Sequence, residues 1–130
     1  MQKIVLDTDI IIDFTRGASD LIEVLLDQVS YHKLKVFIPS SVVSELIAGQ
    51  ETKSDKELVR LEKLISRFEF VPSNYQISKS AGILLRDNKK LKLGDAIVAA
   101  TTLYLNAKLA TRNKKDFEGI SRLKFFKLSP

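Results

Sequence analysis

Five short apolar runs punctuate the chain, and longer segments with helical spacing separate most of them. The runs are Lys3–Leu6, Lys35–Ile38, Phe68–Val71, Lys108–Thr111 and Lys124–Leu128. Pro39 closes the second and Pro72 the third, as expected where a strand loses its backbone donor. Between them, helices are expected from about Asp9 to Thr15, over Ala18–Ser30, from Ser40 or Ser41 to near Gly49, and from Ser54 through Ile65. Two more are expected from Ser73 through Leu85 and over Gly94–Leu105. Ser54 with Glu57, and Ser73 with Gln76, have the spacing of capping boxes. Strands alternating with helices predict an α/β fold: a central, mostly parallel sheet of about five short strands with helices on both faces. In such sheets ligands gather outside the carboxyl ends of the strands, at the point where strand order reverses. The residues just after each strand are therefore the candidates for chemistry.

Composition removes several classes of chemistry. The chain has 130 residues, no cysteine and one histidine, His32. A thiolate metal site, a cysteine nucleophile and a two-histidine metal motif are excluded. With 45% hydrophobic and 28% charged residues it has the balance of a folded globular protein, expected as a single domain over 1–130. No apolar run approaches the ~18 residues of a membrane span, and no leader-like segment opens the chain. A cytoplasmic protein without membrane association is the expectation. Catalysis, if present, must come from carboxylates, lysines or hydroxyls.

Charge is unevenly spread. Residues 1–50 hold 4 Lys/Arg and 7 Asp/Glu, whereas residues 51–130 hold 17 and 9, so the two parts carry −3 and +8. The basic part includes Arg86, Lys89, Lys90, Lys92, Arg112, Lys114 and Lys115. Such asymmetry suits a polyanionic partner. Solvated surface charge accounts for it equally well.

Four acids, Asp7, Glu45, Asp95 and Asp116, are the candidates; whether they converge is a property of the fold that spacing does not give. Asp7 follows the first strand directly; ionised there, it needs a partner or a metal. Thr8 and Asp9 continue the run, and either can instead cap the next helix. Glu45 sits at the edge of the apolar arc formed by Val42, Val43, Leu46 and Ile47, as a site residue or as a solvated boundary residue. Asp95 opens a helix of small apolar residues, Ala96-Ile97-Val98-Ala99-Ala100, which should be buried; it serves as a cap, a ligand or both. Asp116 follows the fourth strand with Thr111 and Asn113, in residues that also favour turns. Converging carboxylates raise one another's pKa, and a divalent cation relieves that repulsion. Oxygen-only ligation suits Mg²⁺ or Mn²⁺.

The stretches Ile4-Val5-Leu6-Asp7-Thr8-Asp9-Ile10-Ile11-Ile12-Asp13, Ser44-Glu45-Leu46-Ile47-Ala48-Gly49, Gly94-Asp95-Ala96-Ile97-Val98-Ala99-Ala100-Thr101 and Leu109-Ala110-Thr111-Arg112-Asn113-Lys114-Lys115-Asp116-Phe117 resemble the PIN-domain ribonucleases. The resemblance is strongest to the VapC-type toxins of bacterial and archaeal toxin–antitoxin pairs. Each stretch is a weak signal alone; their order over almost the whole chain makes the resemblance specific. It implies a three-layer α/β/α sandwich and metal-dependent hydrolysis of RNA phosphodiesters. Carried over by position, Asp7, Glu45, Asp95 and Asp116 form the acidic quartet. Asp7 and Asp95 would be direct metal ligands, while Glu45 and Asp116 bind a second ion or orient the attacking water. Thr8, Asp9, Thr111 and Asn113 would support the site, and Lys90, Lys92, Arg112, Lys114 and Lys115 would hold the RNA backbone. The resemblance further implies a homodimer and a small cognate antitoxin. One position departs from the family's habit: Asp9 stands where Asn is usual. The rival readings are a phosphatase of the haloacid-dehalogenase type, suggested by Asp7-Thr8-Asp9 and Gly94-Asp95, and a non-catalytic RNA-binding PIN-like module.

Overall fold

The computed structural model describes residues 1–49 and 52–128. Its order is β1 (Gln2–Leu6), α1 (Thr8–Thr15), α2 (Leu21–Ser30), β2 (Leu34–Pro39), α3 (Ser40–Ala48), α4 (Asp55–Ile65), β3 (Glu69–Val71), α5 (Tyr75–Asp87), α6 (Leu93–Tyr104) and β4 (Lys108–Ala110). A 3-10 turn, Lys114–Phe117, comes after β4. The strands form one sheet in the order β3-β2-β1-β4, all pairs parallel. Ile4 lies opposite Val36 on one side and Lys108 on the other. Ile4, Val5 and Leu6 are fully buried, as expected for the inner strand of a sheet covered on both faces.

The architecture is the expected α/β one, with one strand fewer. Lys124–Leu128 does not form a fifth strand; it adds a single parallel bridge, Leu109 to Phe125. Only Leu109 of β4 pairs outward: its N–H donates to the Lys124 carbonyl, and its carbonyl accepts from the Phe126 N–H, both at 2.8 Å. The segment thus meets the sheet edge at one residue and does not run along it.

Helix starts also shift. Ser54 caps α4 by accepting from the Glu57 N–H at 3.2 Å, in the expected register. At α5 the cap is Asn74 instead of Ser73; its Oδ1 accepts from the Ile77 N–H at 2.9 Å. The Asn74 N–H also donates to the Pro72 carbonyl, a turn that advances the helix start by one residue. Segment 18–20 stays outside α2, where Ser19 Oγ accepts from the Leu21 N–H.

The sheet order fixes where chemistry can occur. From β1 the chain steps outward to β2 and β3, then returns to the opposite side of β1 for β4. The reversal therefore lies between β1 and β4, and their carboxyl ends deliver Asp7 and Thr111 side by side. Above them α6 is largely buried: Ala96, Val98, Ala99, Ala100, Thr101 and Thr102 are all inaccessible or nearly so. Its small side chains let the helix sit close to the sheet, which brings its first turn to the same edge.

Candidate active site

Asp7 is the pivot of the site. Its N–H continues the sheet by donating to the Ala110 carbonyl at 3.0 Å. Its side chain then turns into the next helix: Asp7 is the N-cap of α1, and Oδ1 accepts from the Thr8 N–H at 2.8 Å. The sequence left that cap to Thr8 or Asp9; both lie inside the first turn. Oδ2 accepts from Thr111 Oγ1 at 2.7 Å, across the β1–β4 seam. Asp7 is only 7% exposed. Burial pushes its carboxyl up to about 6 despite the two hydrogen bonds, and the charges of Asp9 and Asp95 add to the rise.

Asp9 is half-buried and faces the loop after β4. Its Oδ2 accepts from the Arg112 N–H at 2.9 Å and from Asn113 Nδ2 at 3.1 Å. Its Oδ1 is buried without a hydrogen-bond donor. Burial, the largest cause, raises its pKa, and neighbouring Asp13 contributes. Asp13, one helical turn on, forms an ion pair with the Arg112 guanidinium. The i, i+4 pair on α1 thus holds one loop residue twice, by backbone and by side chain. The Asn113 N–H completes the loop by donating to Thr111 Oγ1 at 3.1 Å.

Glu45 reaches in from α3. It is exposed, and its Oε2 accepts from Thr8 Oγ1 at 2.8 Å. Its Oε1 rests against Gly94, where any Cβ would collide with it. Ser41 Oγ also donates to the Gly94 carbonyl at 3.1 Å, tying the start of α3 to the start of α6. Asp95 occupies the first turn of α6, where the helix dipole favours a negative charge. Lys92 takes the N-cap position without a side-chain bond, so Asp95 is not the cap. Asp95 is half-buried, and its pKa is raised by burial first, then by Asp116 and Glu45. Asp116 lies exposed on the 3-10 turn.

The four acids and Asp9 therefore share one edge of the sheet and feel one another's charge. Among the described residues, no three His, Cys, Asp or Glu side chains stand as a ready coordination shell. The donor set nonetheless fits a hard divalent cation: it is all oxygen, burial and mutual repulsion raise Asp7, Asp9 and Asp95, and Asp9 Oδ1 has no donor. Hydrogen bonds from Thr8, Thr111 and Asn113 orient Glu45, Asp7 and Asp9.

The cations expected to meet a polyanion divide. Arg112 is committed to Asp13, and Lys114 lies over the Phe125 ring, 5.4 Å from its centroid. Lys90 and Lys115 line an open cleft beside Asp116, and Lys92 lowers the pKa of Asp95 by its charge. Sequence reasoning missed Asp13 and Ser41. The i, i+4 spacing from Asp9 was a signal for Asp13; its partner lies 99 residues away and had none.

A second, larger groove of about 650 Å³ starts at Glu45 and runs between α1, α3 and α4. Ile12, Phe14, Leu46, Leu61 and Leu64 give it an apolar lining, with Arg60 and Glu57 on its α4 side.

Comparison with known proteins places this arrangement. The family model of the PIN domain matches residues 4–123. A relative, Ribonuclease VapC10 of Mycobacterium tuberculosis (strain CDC 1551 / Oshkosh), is 29% identical over 125 residues, which cover 93% of this chain and 90% of the relative. Among solved structures, VapBC-1 of nontypeable Haemophilus influenzae superposes with a TM-score of 0.81 at 26% identity, covering 99% of this chain and 100% of the other. VapBC2 of Rickettsia felis, bound to a DNA fragment from its promoter, gives a TM-score of 0.83 at 22% identity, covering 96% and 98%. At that identity the likeness is one of fold.

Proposed function

The chain belongs to the PIN-domain family, and from that premise we propose that it is a divalent-metal-dependent endoribonuclease, the toxin of a toxin–antitoxin pair. Membership removes the haloacid-dehalogenase reading. The observation that carries the proposal is the gathering of Asp7, Glu45, Asp95 and Asp116 at the β1–β4 reversal of a parallel sheet, with raised pKa values on Asp7 and Asp95. The name of the Mycobacterium relative supports ribonuclease activity, and the VapBC neighbours support an antitoxin partner.

Asp7 and Asp95 would hold Mg²⁺ or Mn²⁺ directly, while Glu45 and Asp116 would hold a second ion or orient the attacking water. The bound cation supplies charge neutralisation at the phosphate and a more acidic water. The protein's own part is positional. Thr111 and the Thr8 N–H fix both oxygens of Asp7, so its carboxylate cannot rotate away. Thr8 fixes Glu45 against Gly94. Asp9 and Asp13 hold the loop that leads to Asp116. Water is admitted because Glu45 and Asp116 are exposed.

The apolar groove beside Glu45 is where an amphipathic antitoxin segment would dock, and a chain lying in it would also cover that carboxylate. Homodimers would form through apolar residues left exposed on α5 and α6, including Tyr75, Ile83 and Leu93. The domain spans 1–130 and works in the cytoplasm; among the described residues no helix is long and apolar enough to cross a membrane. Incubation of total RNA with the purified protein tests the activity. Cleavage with Mg²⁺ or Mn²⁺ that stops in chelator is expected. Absence of cleavage by the folded, antitoxin-free protein in both metals would leave the non-catalytic RNA-binding module.

A further inference from the structure

The cleft beside Asp116 has features that the carboxylate chemistry does not require. One wall is the turn joining α5 to α6, residues 88–92; the other runs from the 3-10 turn to Ile120, residues 115–120. The volume is about 380 Å³, within the range of small-ligand pockets, which begins at roughly 300 Å³. Lys89, Lys90 and Lys115 line it, and half-buried Leu91 supplies apolar surface, with Ile120 beneath it only 6% exposed. Asp116 and Glu118 also line it, so the lysines outnumber the acids by one.

Both walls are fixed before anything binds. The Leu91 N–H donates to the Asn88 carbonyl at 3.1 Å, and Asn88 Nδ2 donates to the Leu84 carbonyl at 2.9 Å, which locks the first turn onto the end of α5. Phe117, 1% exposed, anchors the second turn in the core. The walls meet where Asn88 Oδ1 lies on Gly119; a Cβ there would collide with it. The close approach is between the Asn88 side-chain amide and the Gly119 backbone.

The lysines have a bland explanation: cations near the end of α5 favour the helix dipole. That accounts for Lys89 and Lys90 but not for Lys115, which comes from another element and faces the same space. Nor, among the described residues, does an ion pair account for them. Asp87 attracts Lys89 by charge, but its direct partner is Arg86, at 2.9 Å. Arg112 and Lys114 are committed to other partners, so this cleft gathers much of the cation charge next to the acids.

We propose that the cleft binds one nucleotide of single-stranded RNA adjacent to the scissile phosphate, its phosphate on Lys89, Lys90 and Lys115 and its base against Leu91. The proposal rests on the nuclease reading for the position of the scissile bond. A groove that tracks the backbone by charge and holds a base on an apolar surface is how single strands are gripped without dedicated base readout. Asp116 stands at the border of cleft and carboxylate site, so a strand leaving the reacting phosphate passes over the lysines.

The test is fluorescence anisotropy of a labelled single-stranded RNA 12-mer in chelator, titrated with the whole protein at several salt concentrations. Wild type is compared with Lys89→Ala/Lys90→Ala, with Lys89→Arg/Lys90→Arg, and with Lys56→Ala/Lys63→Ala. The last pair removes the same charge from α4, which lines none of this cleft. For Lys89→Ala/Lys90→Ala, Kd rises by roughly 2- to 5-fold per lysine, the value of an exposed ion pair. The slope of log Kd against log salt falls by up to about 0.7, the value of one phosphate contact on a single strand. The arginine pair keeps the wild-type slope, and the α4 pair changes it little. Equal slopes for the two alanine pairs would overturn the proposal. Because binding is read without metal, it judges the cleft even if total RNA is never cut, an outcome that would count against the nuclease reading alone.

Discussion

Replacing Asp7 with asparagine should stabilise the metal-free protein while destroying its function. The carboxyl rises from 3.8 in the unfolded chain to about 6 in the folded one, because burial of the charge outweighs the bonds from Thr111 and Thr8. A folded state with the higher pKa binds the proton more tightly. Its stability is therefore greatest below pH 4 and falls as pH rises through about 6. Roughly two pH units correspond to about 3 kcal/mol of lost stability once the group is fully ionised. Asparagine has no charge to desolvate, but it weakens two charge-assisted hydrogen bonds. We expect Asp7→Asn to gain about 1–3 kcal/mol at pH 8, a rise in Tm of roughly 3–10 °C for a domain of this size. Thermal melts in chelator at pH 4, 6 and 8 measure it. The gap should be widest at pH 8 and should shrink as pH falls toward 4. Asp9 and Asp95, also raised, keep some of the same pH dependence in the variant. Saturating Mn²⁺ should stabilise only wild type, by about 2.7 kcal/mol at a hundredfold excess over Kd, which cancels or reverses the gap. An Asn variant less stable than wild type in chelator at pH 8, or a gap independent of pH, would refute the reasoning.

Other substitutions separate positioning from folding. Gly94→Ala places a Cβ on Glu45 Oε1 and forces that side chain off Thr8; turnover should fall at least about tenfold, or ~1.4 kcal/mol of barrier, while helix propensity holds Tm level or raises it. Asp13→Asn releases Arg112 and loosens the loop before Asp116; kcat should drop while stability, measured by urea unfolding, changes by less than about 1 kcal/mol. Ser54→Ala removes the α4 cap and should cost about 1 kcal/mol in the same unfolding assay with turnover unchanged.

The strands and helices were legible because burial on both faces writes continuous apolar runs into inner strands, and burial of one face writes a period of 3.6 into helices. Ile4-Val5-Leu6 and the small-residue face of α6 could be read directly. The fifth strand could not be judged from Lys124–Leu128, since its pairing depends on how the segment meets the edge of β4. Ser54 was readable as a cap, but Asn74 displaced Ser73 through a turn at Pro72 that depends on backbone geometry. In the site, position after a strand singled out Asp7, while Glu45, Asp95 and Asp116 joined it as a set only through the resemblance to PIN-domain ribonucleases. What each one touches was not readable, because Thr111 to Asp7 and Arg112 to Asp13 span 104 and 99 residues. Charge counting likewise pooled Arg112 and Lys114 with the lysines of the cleft, although an acid and an aromatic ring hold those two. Nothing in the sequence signals that Glu45 lies against Gly94 or Asn88 against Gly119, since both contacts join residues far apart in the chain.

The central claim is that the acids at the β1–β4 edge act as one metal-binding unit. Its most direct test is RNA cleavage by wild type, Asp7→Asn, Asp95→Asn and the double variant, measured side by side with Mn²⁺. Each single change should lower kcat by roughly a thousandfold or more, and the double change should cost little beyond either one. Full activity in Asp95→Asn, or losses that simply multiply in the double variant, would contradict the account.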